Sequence, residues 1–131
     1  MARQTKVVDA SVLIKLFVPE RGSELAHGLV ERHISRSINL VVPELAFLEI
    51  MNALRYKKTG PALATVVADL WEFQLHVEHM NPFLMKRAAE LAMKHNLSIY
   101  DATYLALADF CECSLYTADN ELAKCPGTIV M

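Results

Sequence analysis

Glycine and proline are scarce here, four and five in 131 residues, and neither gathers into a run. Together with 53% hydrophobic residues, that scarcity excludes a disordered or linker-rich chain. Long apolar runs are missing too. Charges interrupt each of them, so no segment is long enough to span a bilayer as a helix. The N-terminal MARQTKVV has no apolar stretch of the signal-peptide kind, and a cytoplasmic location is the expectation. Neither sign of charge dominates. Thirteen basic and fifteen acidic side chains leave a formal net charge of −2, so bulk charge alone does not draw a nucleic acid to this chain. Cysteine is sparse and odd in number, Cys111, Cys113 and Cys125, which argues against a disulfide framework in that compartment. The one tempting zinc set, His76, His79, Cys111 and Cys113, has no knuckle pattern around it and reads as core and surface filler.

What is present is an alternation. KVVD reads as a first strand, followed by a short helix, ASVLIKLFVP, that Pro19 ends. A second helix is expected from about Glu20 to Arg32, with Leu25, Leu29 and Val30 toward one side. Leu40 to Val42 is a brief buried strand. Pro43 then suits the first turn of a long helix, PELAFLEIMNALRYKK, stopping near Gly60. Pro61 starts another helix, ALATVVADLWEF, and QLHVEHM alternates as a half-buried strand does. Pro82 opens FLMKRAAELAMKHN, with Leu84, Ala88, Leu91 and Ala92 on one stripe. After LSIYD come the apolar helix ATYLALADFC, the strand LYT, a short helix DNELAKC and a last strand at Thr128 to Val130. Strands alternating with helices imply a parallel sheet covered on both faces, and one domain over residues 1–131.

Asp9 and Asp119 each follow a strand directly, and residues beyond the carboxyl ends of parallel strands line the crevice where ligands bind. Asp101 joins them if its helix begins at that edge. Either Asp101 or Asp119 is also explained as a plain N-cap. Glu44 in a first helical turn is explained by the helix dipole. Glu49 is harder to dismiss, because it lies among Phe47, Leu48, Ile50 and Met51 on a face that is not a solvated charge face. Four converging acids with no basic residue among them need shared protons or a divalent cation, and oxygen-only ligation suits Mg²⁺ or Mn²⁺. Ser11 and Thr117 could add hydroxyls beside Asp9 and Asp119.

The stretches VVDASVLIKLF, PELAFLEIMNAL, LSIYDATYLALA and LYTADNEL, in that order and spacing, resemble the PIN domain, and closely the toxin ribonucleases of prokaryotic toxin–antitoxin pairs, the VapC family. The resemblance implies a three-layer α/β/α fold around a central parallel sheet of about five short strands. It implies endonucleolytic cleavage of RNA with Mg²⁺ or Mn²⁺, a homodimer, and silencing by a small cognate antitoxin. Asp9, Glu49, Asp101 and Asp119 fall on the family's acidic positions, Asn52 on an asparagine of the Glu49 helix, and Thr117 on a hydroxyl position before the last acid. Whether Glu49 ligates the cation or positions and deprotonates a water stays open. RNA contact falls to Arg55, Lys57 and Lys58 at the end of one helix, and to Lys86 with Arg87 on another. The apolar surplus of Phe47, Met51, Trp71, Phe73, Phe83 and Met85 suits an interface or a core.

Three rivals stand beside this. A metabolite phosphohydrolase working through a phosphoaspartate wants a second acid two residues after the first, where this chain has Ser11. A phosphoacceptor signalling domain wants paired acids near the first strand and a lysine after a late one. A PIN-like domain that binds metal or processes RNA without an antitoxin, or cuts nothing, fits the same four acids.

Overall fold

The computed structural model describes residues 3–131. Within them, five strands form one parallel sheet: β1 (Gln4–Val8), β2 (Ile38–Pro43), β3 (His76–Glu78), β4 (Leu115–Thr117) and β5 (Thr128–Val130). Their order is β3-β2-β1-β4-β5. Parallel neighbours cannot be joined by a tight hairpin, so helices carry the crossovers. These are α1 (Ala10–Leu13), α2 (Ser23–Ile34), α3 (Leu45–Leu54), α4 (Leu63–Glu72), α5 (Pro82–His95) and α6 (Ile99–Phe110). The helices flank the sheet, as expected of an α/β fold.

The central strands are apolar because both their faces are covered. Val7, Val8, Leu40, Val41, Val42 and Leu115 are all buried. α6 shows the same logic in helical form. Every residue from Ala102 to Ala108 is buried, because the helix lies on β1, β2 and β4 with α5 packed against it. The stripe expected on α5, Leu84, Ala88, Leu91 and Ala92, is its buried face. Asn81 caps that helix through Oδ1, which accepts from the Leu84 amide at 2.9 Å, and Pro82 takes the first helical position.

Several boundaries differ from the sequence expectation. Pro43 is the last residue of β2, in register with Glu78 of β3, and α3 begins only at Leu45. Strand pairing overrides the helix-opening preference there, and proline is tolerated because it ends the strand. α3 stops at Leu54, so Arg55, Lys57 and Lys58 lie beyond it in exposed backbone. α2 starts at Ser23, after Gly22 at φ 90°, a left-handed conformation that glycine adopts without a Cβ clash. Leu25 is exposed, and Ala26, Leu29, Val30 and His33 form the buried side of α2 instead. His33 has both ring nitrogens bonded, Nδ1 accepting from the Leu40 amide at 3.0 Å and Nε2 lying 2.9 Å from the Gln74 carbonyl. It pins α2 to β2 and to the turn before β3.

Among the described residues, His76, His79, Cys111 and Cys113 form no group that could hold a metal ion. Cys111, Cys113 and Cys125 are free thiols, and burial pushes Cys111 up to about 11, as suits an inert packing residue. His76 pairs with Glu78 and His79 with Glu44, each at 2.8 Å. Of the apolar surplus, Trp71 is 72% exposed and stacks on Phe47 at 6.1 Å between centroids. Leu48, Phe83 and Met85 are also exposed, while Phe47, Met51 and Phe73 are half-buried.

Candidate metal centre

The strand order reverses direction at β1, with β2 on one side and β4 on the other. Such a switch point opens a crevice at the carboxyl edge of the sheet. Asp9 sits there, one residue past β1, and Asp119 sits two residues past β4. Val8 pairs with Tyr116, and the Asp9 amide donates to the Tyr116 carbonyl at 3.1 Å, so Thr117 lies beside Asp9 by register alone.

Asp9 is 4% exposed and caps α1. Its Oδ1 accepts from the Ser11 amide at 2.9 Å and from the Ser11 hydroxyl. Its Oδ2 accepts from the Thr117 hydroxyl at 2.5 Å. The two hydroxyls are fixed in turn. Ser11 Oγ accepts from the Ala118 amide at 2.9 Å, and Thr117 Oγ1 from the Asp119 amide at 3.0 Å. Three of the four lone-pair sites of Asp9 are thereby used, and Oδ2 keeps one for an outside partner. Ser11 and Thr117 are thus both hydrogen-bonded to the Asp9 carboxylate.

Asp101 lies in the first turn of α6, but the cap is Ser98, whose Oγ accepts from the Asp101 amide at 3.1 Å. The Asp101 carboxylate is left to face the cavity. Asp119 closes a local turn: Oδ1 accepts from the amides of Glu121 at 2.8 Å and Leu122 at 3.3 Å, while Glu121 is the cap of the 3₁₀ turn Leu122–Lys124. Glu49 reaches in from α3. All four acids line one open cavity of about 220 Å³, together with Ala10, Ser11, Ile14, Ala53 and Tyr104. Tyr104 went unnoticed in the sequence. Its hydroxyl donates to Glu49 Oε1 at 2.5 Å. The available signal was its place three residues after Asp101, on the same helical face. Asn52 is not among the lining residues and is exposed; Ala53, the next residue of α3, takes that place.

The electrostatics are those of an uncompensated cluster. Among the described residues, none of the four acids forms an ion pair with lysine, arginine or histidine. Burial raises the Asp9 carboxyl, against the pull of the Ser11 and Thr117 hydrogen bonds. Burial likewise raises Glu49; the Tyr104 hydrogen bond opposes it, and the charges of Asp101 and Asp9 add to it. Asp101 is raised by burial and by Asp119.

Carboxyls raised in the folded state hold protons that the unfolded chain releases at about pH 4. Without a cation, stability is then lost as pH climbs from that value through the raised ones. In chelator, the melting temperature of Asp9→Asn relative to the unmutated chain is expected to rise as pH climbs above about 4, the ordinary carboxylate value. A difference that stays flat with pH would contradict this.

Among the described residues, no group of three or more His, Cys, Asp or Glu side chains is drawn together tightly enough to hold an ion unaided. The four acids nonetheless line one cavity, and oxygen ligands are the kind that Mg²⁺ and Mn²⁺ take. Such ions bind through one or two carboxylates, keep several waters, and take the remaining oxygens from a phosphate. The donor set is oxygen only, negative and open, and it fits.

The family model of the PIN domain matches residues 6–127. The chain belongs to the PIN-domain family. Ribonuclease VapC3 of Pyrobaculum aerophilum is 36% identical over 124 residues, covering 90% of this chain and 92% of that protein. Ribonuclease VapC9 of Mycobacterium tuberculosis is 33% identical over 133 residues, covering 95% and 97%. A crystal structure of a Pyrobaculum aerophilum protein matches this PIN domain with a TM-score of 0.70 at 27% identity, covering 99% of this chain and 90% of that one. The sarcin–ricin-loop-cleaving toxin VapC20 of Mycobacterium tuberculosis matches with a TM-score of 0.72 at 21% identity, covering 91% and 93%, a likeness of fold.

Proposed function

We propose that this PIN domain is a divalent-cation-dependent endoribonuclease of the VapC kind, the toxin of a toxin–antitoxin pair. One observation carries the reading: four acids from four separate segments meet in a single cavity with no basic partner among the described residues. The names of its relatives, ribonucleases VapC3 and VapC9, supply the substrate class. A small antitoxin and a second copy of the chain are the partners that the family resemblance implies. The exposed Trp71, Leu48, Phe83 and Met85 offer apolar surface for such contacts.

Asp9, Asp101 and Asp119 would hold Mg²⁺ or Mn²⁺, with Glu49 as a fourth ligand or as the group that handles the water. When bound, the cation supplies a water activated for attack and stabilises negative charge on the phosphate. The protein's part is orientation. Asp9 is fixed by Ser11 and Thr117, and one oxygen of Asp119 is fixed by the Glu121 and Leu122 amides. Glu49 Oε2 is the oxygen Tyr104 leaves free to ligate or to accept a proton.

Arg55, Lys57 and Lys58 follow the helix that carries Glu49 and Ala53 and are the better placed basic residues for RNA. Arg55 leans on the Tyr56 ring at 4.2 Å. Lys86 is exposed on α5, whereas Arg87 is committed to Asp109 at 2.8 Å and Glu90 at 3.3 Å.

The chain, freed of any bound partner, is expected to cut single-stranded or structured RNA with Mg²⁺ or Mn²⁺. Chelator should stop the reaction and fresh Mg²⁺ restore it. Cleavage indifferent to chelator, or neither metal binding nor cleavage, would overturn the reading.

A further inference from the structure

Glu49 poses a problem of position. It is a flexible side chain on the middle of α3, and the charges of Asp101 and Asp9 both act against its own. Left alone, such a carboxylate turns away from the other acids toward water.

We infer that Tyr104 is a positioning residue whose buried hydroxyl holds the Glu49 carboxylate in the shared cavity, and that cation affinity depends on this grip. The inference rests on the cavity being a cation site, as proposed above. The Tyr104 ring is 1% exposed and packed within α6, the most enclosed helix of the fold. A ring so enclosed has little freedom, so the backbone of α6 sets where its hydroxyl stands. From there the O–H reaches across to α3 and donates to Glu49 Oε1 at 2.5 Å, the short length typical of a hydrogen bond to a carboxylate. Ala10, the residue after Asp9, lines the same cavity as Tyr104. Asp101 lies three residues earlier on the same helix. One rigid helix thus presents Asp101 directly and aims Glu49 through Tyr104, beside the residue that follows Asp9. Nothing in the packing needs the hydroxyl itself, because Glu49 is only half-buried and water can meet its oxygens.

Partners that orient metal ligands typically change affinity by roughly 10- to 100-fold when removed. Tyr104→Phe keeps the ring and deletes only the hydroxyl. Mn²⁺ binding, read from the electron paramagnetic resonance of the free ion, is compared for the unmutated chain, Tyr104→Phe, Glu49→Gln and the double variant. The expected result is binding about tenfold or more weaker in Tyr104→Phe, cleavage partly restored by excess Mn²⁺, and no further loss when Tyr104→Phe is added to Glu49→Gln. Unchanged Mn²⁺ affinity in Tyr104→Phe, or a full additional loss in the Glu49→Gln background, would overturn the inference while leaving the cation site standing. If the unmutated chain itself binds no Mn²⁺, the cation reading fails first, and the inference with it. A measurement on the unmutated chain guards against a Phe variant that does not fold. The shielded Tyr104 hydroxyl proton should give a resolved NMR resonance that shifts when Mg²⁺ is added, and a resonance blind to Mg²⁺ would count against the grip.

Discussion

Asp101→Asn is expected to lower Mg²⁺-dependent RNA cleavage by about a thousandfold or more, because several kcal/mol of charge stabilisation hang on the bound cation and each 1.36 kcal/mol is a factor of ten. The same substitution should barely disturb the fold. α6 is capped by Ser98, whose hydroxyl accepts from the Asp101 backbone, and that bond survives any change of the Asp101 side chain. Losing a carboxylate from a first helical turn costs about 0.3–1 kcal/mol of dipole interaction. Relief from the charge of Asp119, which raises the Asp101 carboxyl, works in the opposite direction. Asp101 is for this reason a cleaner test than Asp9. The Asp9 carboxylate accepts three hydrogen bonds and caps α1, so substitution there changes local structure and charge together. Single-turnover cleavage beside a thermal melt separates the two effects. An Asp101→Asn chain retaining more than about a tenth of the activity would remove Asp101 from the site.

Leu115→Ala should be the most damaging of the simple core truncations near the site. Leu115 is fully buried at the head of β4, paired with Val7 of β1 on one side and Thr128 of β5 on the other. Deleting its branched end removes buried apolar surface and leaves a cavity that covered neighbours on both faces cannot easily fill. The loss for such a substitution is about 2–5 kcal/mol, a large part of a domain's total of about 5–15 kcal/mol. β4 is only three residues long and leads directly to Thr117 and Asp119, so loosening it also loosens the Thr117 hydrogen bond that orients Asp9. A urea midpoint shifted downward with an unchanged slope is the expected signature. A loss below about 1 kcal/mol would mean that β4 does not close the core as described.

Much of this was legible beforehand, and particular residues show why. Asp9 could be placed because a Val-rich strand buried on both faces leaves a carboxylate tolerable only at its end, and Asp119 could be placed by the same reasoning after LYT. Glu49 stood out because a charge among large apolar neighbours has no ordinary surface role. Asn52 and Ala53 are about 100° apart around the same helix, and only the packing of α3 decides that Ala53 is the one lining the cavity. Tyr104 was silent, since a tyrosine in a run of Leu and Ala reads as one more core residue until its hydroxyl is seen to have a partner. Pro43 carried an intrinsic preference for a helix start, and pairing with β3 outweighed it.

By itself, then, the sequence determined the alternation of strand and helix and the parallel sheet, and it put forward four acids and two hydroxyls as candidates. These follow from local periodicity and from the high cost of burying an unpaired charge, which act on neighbours along the chain. Only the tertiary structure decided which oxygen of Asp9 keeps an unused lone pair, that Arg87 is already paired with Asp109, and that the Tyr104 hydroxyl bonds to Glu49. Those are contacts between segments as many as 108 residues apart, set by strand register and helix rotation, and no local pattern records them.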